Sequence, residues 1–280
     1  INGFNFSGNG DRIGTVIVDT YEASPFKNLG MDNPNGSQRY YIGHVDWTGF
    51  NGLVEYTGSE NFSAVVQFGS SSQTYQWEGF YTAAPSTKSR KITVDGGYIK
   101  GGANYRMNRN SNIFFNVGQI MRPPSFDGVF PNADYDFEEA DDITNESFTS
   151  FELGYGYISS NFKANINAYH TVWGDRTLRR STSIDDQGVR IIYDGVEQTH
   201  QGIEAEMTWY PSNRLRIRGM ASIGDWKYSK NFDGDAYFID NNQPAGTTGT
   251  LYLDGVKIGD AAQSVLYLSL IHISEPTRPL

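Results

Sequence analysis

The stretch that decides the fold reads FELGYGYISSNFKANINAYH, residues 151–170. Its apolar residues come at every second position, a few small polar residues intervene, and then the alternation resumes. The second arm places Phe162, Ala164, Ile166 and Ala168 on one face and Lys163, Asn165 and Asn167 on the other. A period of two indicates a strand with one apolar and one wet face. The stretch therefore predicts a hairpin whose apolar face meets either a second sheet or lipid.

The same construction occurs three more times, at residues 53–69, 101–118 and 202–224. The turn centres lie near residues 59, 110, 160 and 212, so one turn recurs about every 50 residues. Two strands of about ten residues use less than half of each period. The rest predicts long loops around residues 73–90, 122–146, 174–195 and 226–260. Tight turns at one end and long loops at the other are typical of outer-membrane barrels, whereas compact soluble domains seldom use such loops.

Aromatic residues recur on the apolar face next to the tight turns, where a membrane interface would favour them. They are Phe62, Tyr105, Tyr157, Phe162 and Trp209. Because Tyr and Phe are also good strand formers, any single one of them is weak evidence. Their recurrence at the same distance from the tight turns predicts a girdle of aromatic residues at the membrane interface.

Composition supports a β-rich chain and excludes several classes of function. The 280 residues include 31 Gly and 10 Pro, and 38% are hydrophobic, which suits many strands and turns. No apolar run reaches the length of about 18 residues that a transmembrane helix needs, but a barrel requires only alternate apolar residues. The net charge of −10 argues against nucleic acid as a partner, and the absence of cysteine excludes disulfides and thiolate metal sites. No cofactor motif appears, so we expect none.

Three segments carry a family resemblance: GANYRMNRNSNIFFNVGQIMRPPSFDGVF (102–130), NESFTSFELGYGYISSNFKANINAYHTVWGDR (145–176) and GVEQTHQGIEAEMTWYPSNRLRIRGMASIGDWKY (195–228). They resemble consecutive C-terminal barrel segments of TonB-dependent outer-membrane receptors, particularly the Bacteroidetes kind, and the resemblance covers about residues 40–267. It implies an all-β, antiparallel, up-and-down transmembrane β-barrel, here incomplete, with about eight or nine strands of a presumed 22. A partial barrel of this kind would be an open sheet with two unpaired edge strands.

The resemblance also implies a function and partners. It indicates part of an active transporter in the bacterial outer membrane that imports a scarce nutrient of the siderophore, cobalamin or glycan class. The partners would be membrane lipid, the nutrient and the TonB complex, the last reached through a plug domain that this chain does not show. One alternative is a secreted β-sandwich that binds carbohydrate. Another is a barrel enzyme, which is disfavoured because His44 and His170 have no convincing serine and acid partners in the sequence.

Candidate site residues lie in the predicted long loops. Two loops mix aromatic with polar and Gly residues, a composition suited to stacking on sugars or other polar ligands. Their candidate ligand-binding residues are Trp77, Phe80, Tyr81, Trp226, Tyr237 and Phe238. The acidic run DYDFEEADD (134–142) offers oxygen ligands, with Asp134, Asp136 and Glu138 as a weak calcium candidate. A solvated acidic loop is the simpler interpretation, so no metal site is predicted.

The end of the chain follows a different pattern. A strand begins within AAQSVLYL (261–268), but the sequence then reaches SEPTRPL (274–280), whose prolines cannot donate to a sheet ladder. Residues 268–278 resemble the conceptual translation of a transposase sequencing adapter. We therefore expect residues 1–267 to form a partial outer-membrane barrel and residues 268–280 to be a non-native tail, which resequencing the source DNA by a transposon-free method would check.

Overall fold

The computed structural model describes residues 41–79, 88–131, 139–140, 142–238, 243–259 and 261–272. These residues form eleven β-strands and one short helix. The strands are β1 (Tyr41–Tyr56), β2 (Phe62–Gly79), β3 (Ile92–Arg106), β4 (Ser111–Arg122), β5 (Glu146–Ile158), β6 (Phe162–Ile184), β7 (Gln187–Ser212), β8 (Leu215–Tyr228), β9 (Phe232–Phe238), β10 (Pro244–Leu251) and β11 (Ser264–His272). The helix, α1 (Phe126–Val129), has four residues. No helix in this part of the chain is long and apolar enough to cross a membrane.

All eleven strands belong to one open sheet, which confirms the predicted all-β class. The main path runs β1-β2-β3-β4-β5-β6-β7-β8-β11, and from β3 to β11 each neighbouring pair on this path is antiparallel. Nine strands on this path agree with the eight or nine that the sequence predicts. The two others, β9 and β10, lie off the path: β9 pairs with β7, and β10 pairs with β9.

The register of the sheet keeps the two faces of the strands separate. Residues directly opposite each other in neighbouring strands share a face. One row crosses β4 to β8 through Phe115, Leu153, Ala168, Ile203 and Ile223, and we call it the apolar row. The next position along each strand gives Asn116, Glu152, Tyr169, Gly202 and Gly224, the polar row. Lys163, Asn165 and Asn167 share the polar face, as predicted.

Hydrogen bonds join the tight turns to the neighbouring hairpins at one end of the sheet. The carbonyl of Asn61 accepts from the backbone N–H of Arg106, and that of Asn110 accepts from Ile158. The carbonyl of Asn161 accepts from Tyr210 in the same way. Each acceptor is the last residue of a turn, directly before β2, β4 or β6. The predicted turns near 59, 110 and 160 are thus confirmed as neighbours, and a fourth turn near 212 joins β7 to β8.

The loop predicted at residues 174–195 is wrong. β6 continues to Ile184 and β7 begins at Gln187, so only Asp185 and Asp186 connect them. Both residues have positive φ, at 49° and 63°. Two successive left-handed residues match the twist of a hairpin, and Asp tolerates this conformation better than most residues. The loop predicted at 226–260 also contains strands, β9 and β10, where the buried Phe232 and Ala236 alternate with exposed Asp233 and Asp235.

The described chain divides into two compact units. One contains residues up to Thr48 with Ser72–Val94 and Pro124–Ile143, and the other contains Gly49–Ser71, Asp95–Pro123 and Thr144–Leu280. The first unit has a small buried core of Tyr75, Trp77, Ile92, Val129 and Phe130. The second holds the apolar and polar rows and a separate cluster formed by Tyr193, Val196 and Phe232. Within the described residues, the buried hydrophobic side chains thus form small clusters.

The last strand, β11, pairs with β8 from Ser264 to His272. It therefore includes the first five residues of the tail that the sequence marks as non-native, Leu268 to His272, while residues 273–280 lie outside the described part. The adapter origin of residues 268–280 stays a prediction.

Candidate functional site

The polar face carries a cluster of aromatic and charged side chains just beyond the tight-turn half of the strands. If about ten residues next to each turn span a membrane, the spans end near Thr171 in β6 and Ile203 in β7. The cluster begins at that level. Phe148 of β5 lies opposite Trp173 of β6, and their rings stack with centroids 4.9 Å apart at 24°.

Two guanidinium groups cover this aromatic pair. The Arg176 guanidinium lies 3.7 Å from the centroid of the Trp173 ring, and the Arg122 guanidinium lies 5.4 Å from that of Phe148. Glu146 connects the group, because its carboxylate pairs with Arg122 and accepts a 2.8 Å hydrogen bond from Trp173 Nε1. Burial lowers the pKa of Arg176, although the Glu146 charge opposes this shift. The two cations are thus engaged by the protein's own rings and carboxylate.

A second aromatic pair lies next to the first. Trp226 Nε1 donates a 2.8 Å hydrogen bond to Tyr169 Oη, and the Trp226 and His200 rings lie 5.5 Å apart. Burial, followed by the charge of Arg176, lowers the pKa of His200. A lowered pKa favours the neutral imidazole at pH 7.

The two pairs line an open groove of about 440 Å³ on the polar face. The groove is also lined by Glu152, Asn167, Thr171 and Glu204. We call it the Tyr169–Trp226 groove. Its volume lies within the range of about 300–1,000 Å³ that is common for small-molecule sites. It combines flat aromatic faces with hydrogen-bonding side chains, which suits binding rather than bond-making.

The sequence-predicted ligand residues lie in different environments. Trp226 lines the groove. Trp77 is completely buried in the core of the first unit, where its backbone N–H binds Ser89 Oγ. Tyr237 and Phe238 are half-buried at the end of β9, opposite Arg190 and Val189 of β7. Phe80, Tyr81 and the calcium candidates Asp134, Asp136 and Glu138 lie outside the described residues. The described residues contain no group of His, Asp and Glu side chains that would hold a metal ion.

The two histidines of the enzyme alternative make hydrogen bonds to Glu78 and Gln201. His44 lies 2.8 Å from Glu78, which also pairs with Lys88. The hydrogen bond from His44, and to a lesser extent Lys88, lowers the pKa of Glu78. His170 Nδ1 lies 3.3 Å from Gln201 Oε1. These contacts are ordinary surface polar contacts.

Sequence reasoning missed most of the groove, including Phe148, Tyr169, Trp173 and His200. A signal for it was present, because these aromatic residues occupy the positions that alternate with the apolar row. Aromatic residues at the strand positions that alternate with the apolar ones therefore mark the polar face of the sheet.

The fold matches part of the barrel of TonB-dependent outer-membrane receptors. Among solved structures, the chain is similar to the copper transporter OprC, with a TM-score of 0.56 and 13% identity, over 82% of this chain and 40% of that chain. It is also similar to the ferric yersiniabactin uptake receptor FyuA from Yersinia pestis, with a TM-score of 0.47 and 11% identity, over 85% of this chain and 39% of that chain. The chain thus spans about two fifths of these proteins. No family model and no curated protein matches the sequence.

Proposed function

We propose that this chain is part of the barrel wall of a TonB-dependent active transporter in the bacterial outer membrane. The transporter would import a scarce nutrient of the siderophore, cobalamin or glycan class, with TonB acting through a plug domain. Its work is binding and passage, without a chemical step on the nutrient.

The observation that supports the proposal is the solvent exposure of the apolar face. In the apolar row, Leu153 is 57% exposed, Ile203 is 55% exposed and Ile223 is 68% exposed, whereas Glu152, Tyr169, Gly202 and Gly224 of the polar row are half-buried. The aromatic residues near the turns share the apolar face, since Phe162 lies opposite Trp209 and Tyr157 lies opposite Ala164. A contiguous apolar surface of this kind requires an apolar medium or partner. Lipid fits it, because aromatic residues border it at the turn end.

The alternative β-sandwich requires a second sheet to cover this apolar face. All strands of the described residues belong to one sheet, and the apolar row remains exposed. The observed fold therefore favours the transporter.

Spin labels at two adjacent positions test the membrane-facing assignment. The chain has no cysteine, so Leu153→Cys and Glu152→Cys each give one labelling site within it. In the intact protein reconstituted in lipid, we expect the label at 153 to be relaxed by oxygen and protected from a water-soluble nickel chelate. The label at 152 should show the reverse pattern. Strong nickel access at both positions would exclude a lipid-facing apolar row.

Surface labelling of intact cells tests the orientation. Cysteine introduced at Asp235, and at Asp136 in the predicted loop, should react with an impermeant maleimide. Cysteine at Ser160 or Asn213, in the tight turns, should be protected until the cells are opened. The opposite pattern would show that the tight turns, and not the long loops, face the outside of the cell.

A further inference from the structure

We infer that the Tyr169–Trp226 groove binds an uncharged, polyhydroxylated ring compound, that is, a neutral sugar unit of a glycan. This inference rests on the proposed function, and it selects one ligand class for a defined set of side chains. It depends on three properties of the groove: flat aromatic faces, acceptors for hydroxyl groups and the sign of its charge.

The Tyr169 and Trp226 side chains lie over two glycines of the sheet. Gly202 and Gly224 are directly opposite each other in β7 and β8. A Cβ added at Gly202 would lie 2.7 Å from Tyr169 Oη, and one added at Gly224 would lie 2.7 Å from Trp226 Nε1. The two side chains therefore occupy the space that side chains at these glycines would need. The hydrogen bond between them fixes both rings, and a ring that lies along a sheet presents its face to the ligand.

Acceptors and donors for hydroxyl groups surround these rings. The carboxylates of Glu152 and Glu204 and the amide of Asn167 line the groove. Asn116 Nδ2 donates a 2.9 Å hydrogen bond to one oxygen of Glu152, which orients the carboxylate. Each carboxylate oxygen accepts more than one hydrogen bond, so capacity remains for ligand hydroxyls. Stacking faces and hydroxyl acceptors together suit a sugar ring, which has C–H groups on its faces and O–H groups around its edge.

The charge of the groove disfavours anionic ligands. Two carboxylates line it and no Lys or Arg does. The nearby guanidinium groups of Arg122 and Arg176 lie over Phe148 and Trp173, and Arg122 also pairs with Glu146. A carboxylate or phosphate in the groove would meet like charges without a dedicated cation. A neutral ring avoids this cost.

Matched oligosaccharides test the inference with the intact receptor in detergent. The neutral probes are maltohexaose, xylohexaose, mannohexaose and galactohexaose, and the anionic probe is hexagalacturonate, which repeats the galactose scaffold with a carboxylate on each ring. Titration calorimetry should show binding of at least one neutral probe, with hexagalacturonate weaker by about tenfold or more. Binding of no neutral probe, or tighter binding of hexagalacturonate, would overturn the inference.

Two tryptophan variants locate the site. Trp226→Ala should weaken binding of that neutral probe by about tenfold, because it removes one stacking face. Trp209→Ala, on the apolar face of β7, should change it less than about twofold. Glu204→Gln keeps an acceptor but removes a charge, and it should relieve the discrimination against hexagalacturonate even if Trp226→Ala fails to fold. Unchanged binding in a folded Trp226→Ala variant, or unchanged discrimination in Glu204→Gln, would overturn the assignment.

Failure of this inference is distinguishable from failure of the proposed function. The spin labels at 152 and 153 report the lipid and water faces without any ligand. If the label at 153 faces lipid but no neutral glycan binds, the transporter proposal stands and the sugar site is rejected.

Discussion

The apolar row and the polar row pass through the same five strands, one residue apart, yet the apolar row is the more exposed of the two. Leu153 is largely exposed, whereas its neighbour Glu152 accepts a hydrogen bond from Asn116 and lines a groove. In a soluble protein the exposed row would be the polar one. The register of a single residue therefore decides which side chain lies on which face of the sheet.

A charge placed on each face gives the largest expected effect. Ala168→Arg puts a guanidinium in the apolar row, between Leu153 and Ile203. It should lower the free energy of unfolding in lipid vesicles by about 2–4 kcal/mol, the cost of a cation near a bilayer midplane. Asn167→Arg, on the polar face, is the matched control and should change it by less than about 0.5 kcal/mol. Urea titration of the intact protein measures both, and equal losses would erase the distinction between the faces.

A methyl group added to each face should have the next largest effect. A Cβ at Gly202, in the polar row, would lie 2.6 Å from the Ile223 carbonyl oxygen, which is backbone and cannot swing away. Gly202→Ala should therefore cost about 1–3 kcal/mol of unfolding free energy. At Gly101, opposite Val117 on the apolar face, the nearest atom would be 3.7 Å away. Gly101→Ala should be neutral or slightly stabilising in the same titration. A comparable loss there would show that the requirement for glycine is not specific to the polar face.

Removing one charge from the aromatic cluster should have a smaller effect. Glu146→Gln retains an oxygen to accept from Trp173 but loses the charge that Arg122 faces. Since Arg122 is about half-exposed, we expect a loss of about 1 kcal/mol or less, which should shrink in high salt. The control is Glu204→Gln. The Glu204 carboxylate lies 3.4 Å from Ser222 Oγ, and its replacement should be near neutral. A salt-independent loss would contradict an electrostatic cause.

The pH dependence should show the smallest effect. Burial and Arg176 lower the pKa of folded His200 below its ordinary value of 6.5. The unfolded chain therefore binds more protons as the pH falls through 6.5, and this contribution to stability, full above that pH, is lost on the acidic side. His200→Gln should reduce the fall in stability between pH 7.5 and 5. His170→Gln, which removes a histidine from the other face of the adjacent strand, should leave that fall in place; an identical profile for wild type and His200→Gln would refute the assignment.

The sequence predicted the faces and the turns well because both depend on local rules. The alternation around Phe162 and Lys163 allows only one assignment of faces, and short turns beside regular strands are visible without tertiary information. The hairpin around Asp185 and Asp186 was missed because two acidic residues in a polar, Arg-rich stretch are also typical of a loop. Pairing with a distant segment, such as Ile191 with Ala236, also supports the second strand of this hairpin.

The groove could not be predicted as a unit because its parts come from four strands. Tyr169, His200 and Trp226 are brought together by register, not by proximity in the sequence. Trp77 shows the converse problem. Its aromatic, loop-like context suggested a ligand contact, but its burial depends on packing with residues far along the chain, including Phe130. Periodicity predicts the face of a residue, whereas packing partners require the fold.

The three asparagine carbonyls at the turns make this sheet modular in evolutionary terms. Each of Asn61, Asn110 and Asn161 ends one turn and accepts from the first strand of the next hairpin. Duplication or loss of a segment from one of these asparagines to the next adds or removes two strands at once. An even number of strands leaves the facing of every remaining side chain unchanged, and the boundary residues are already equivalent. Such a sheet can change its width by whole hairpins without changing the sequence of the strands that it keeps.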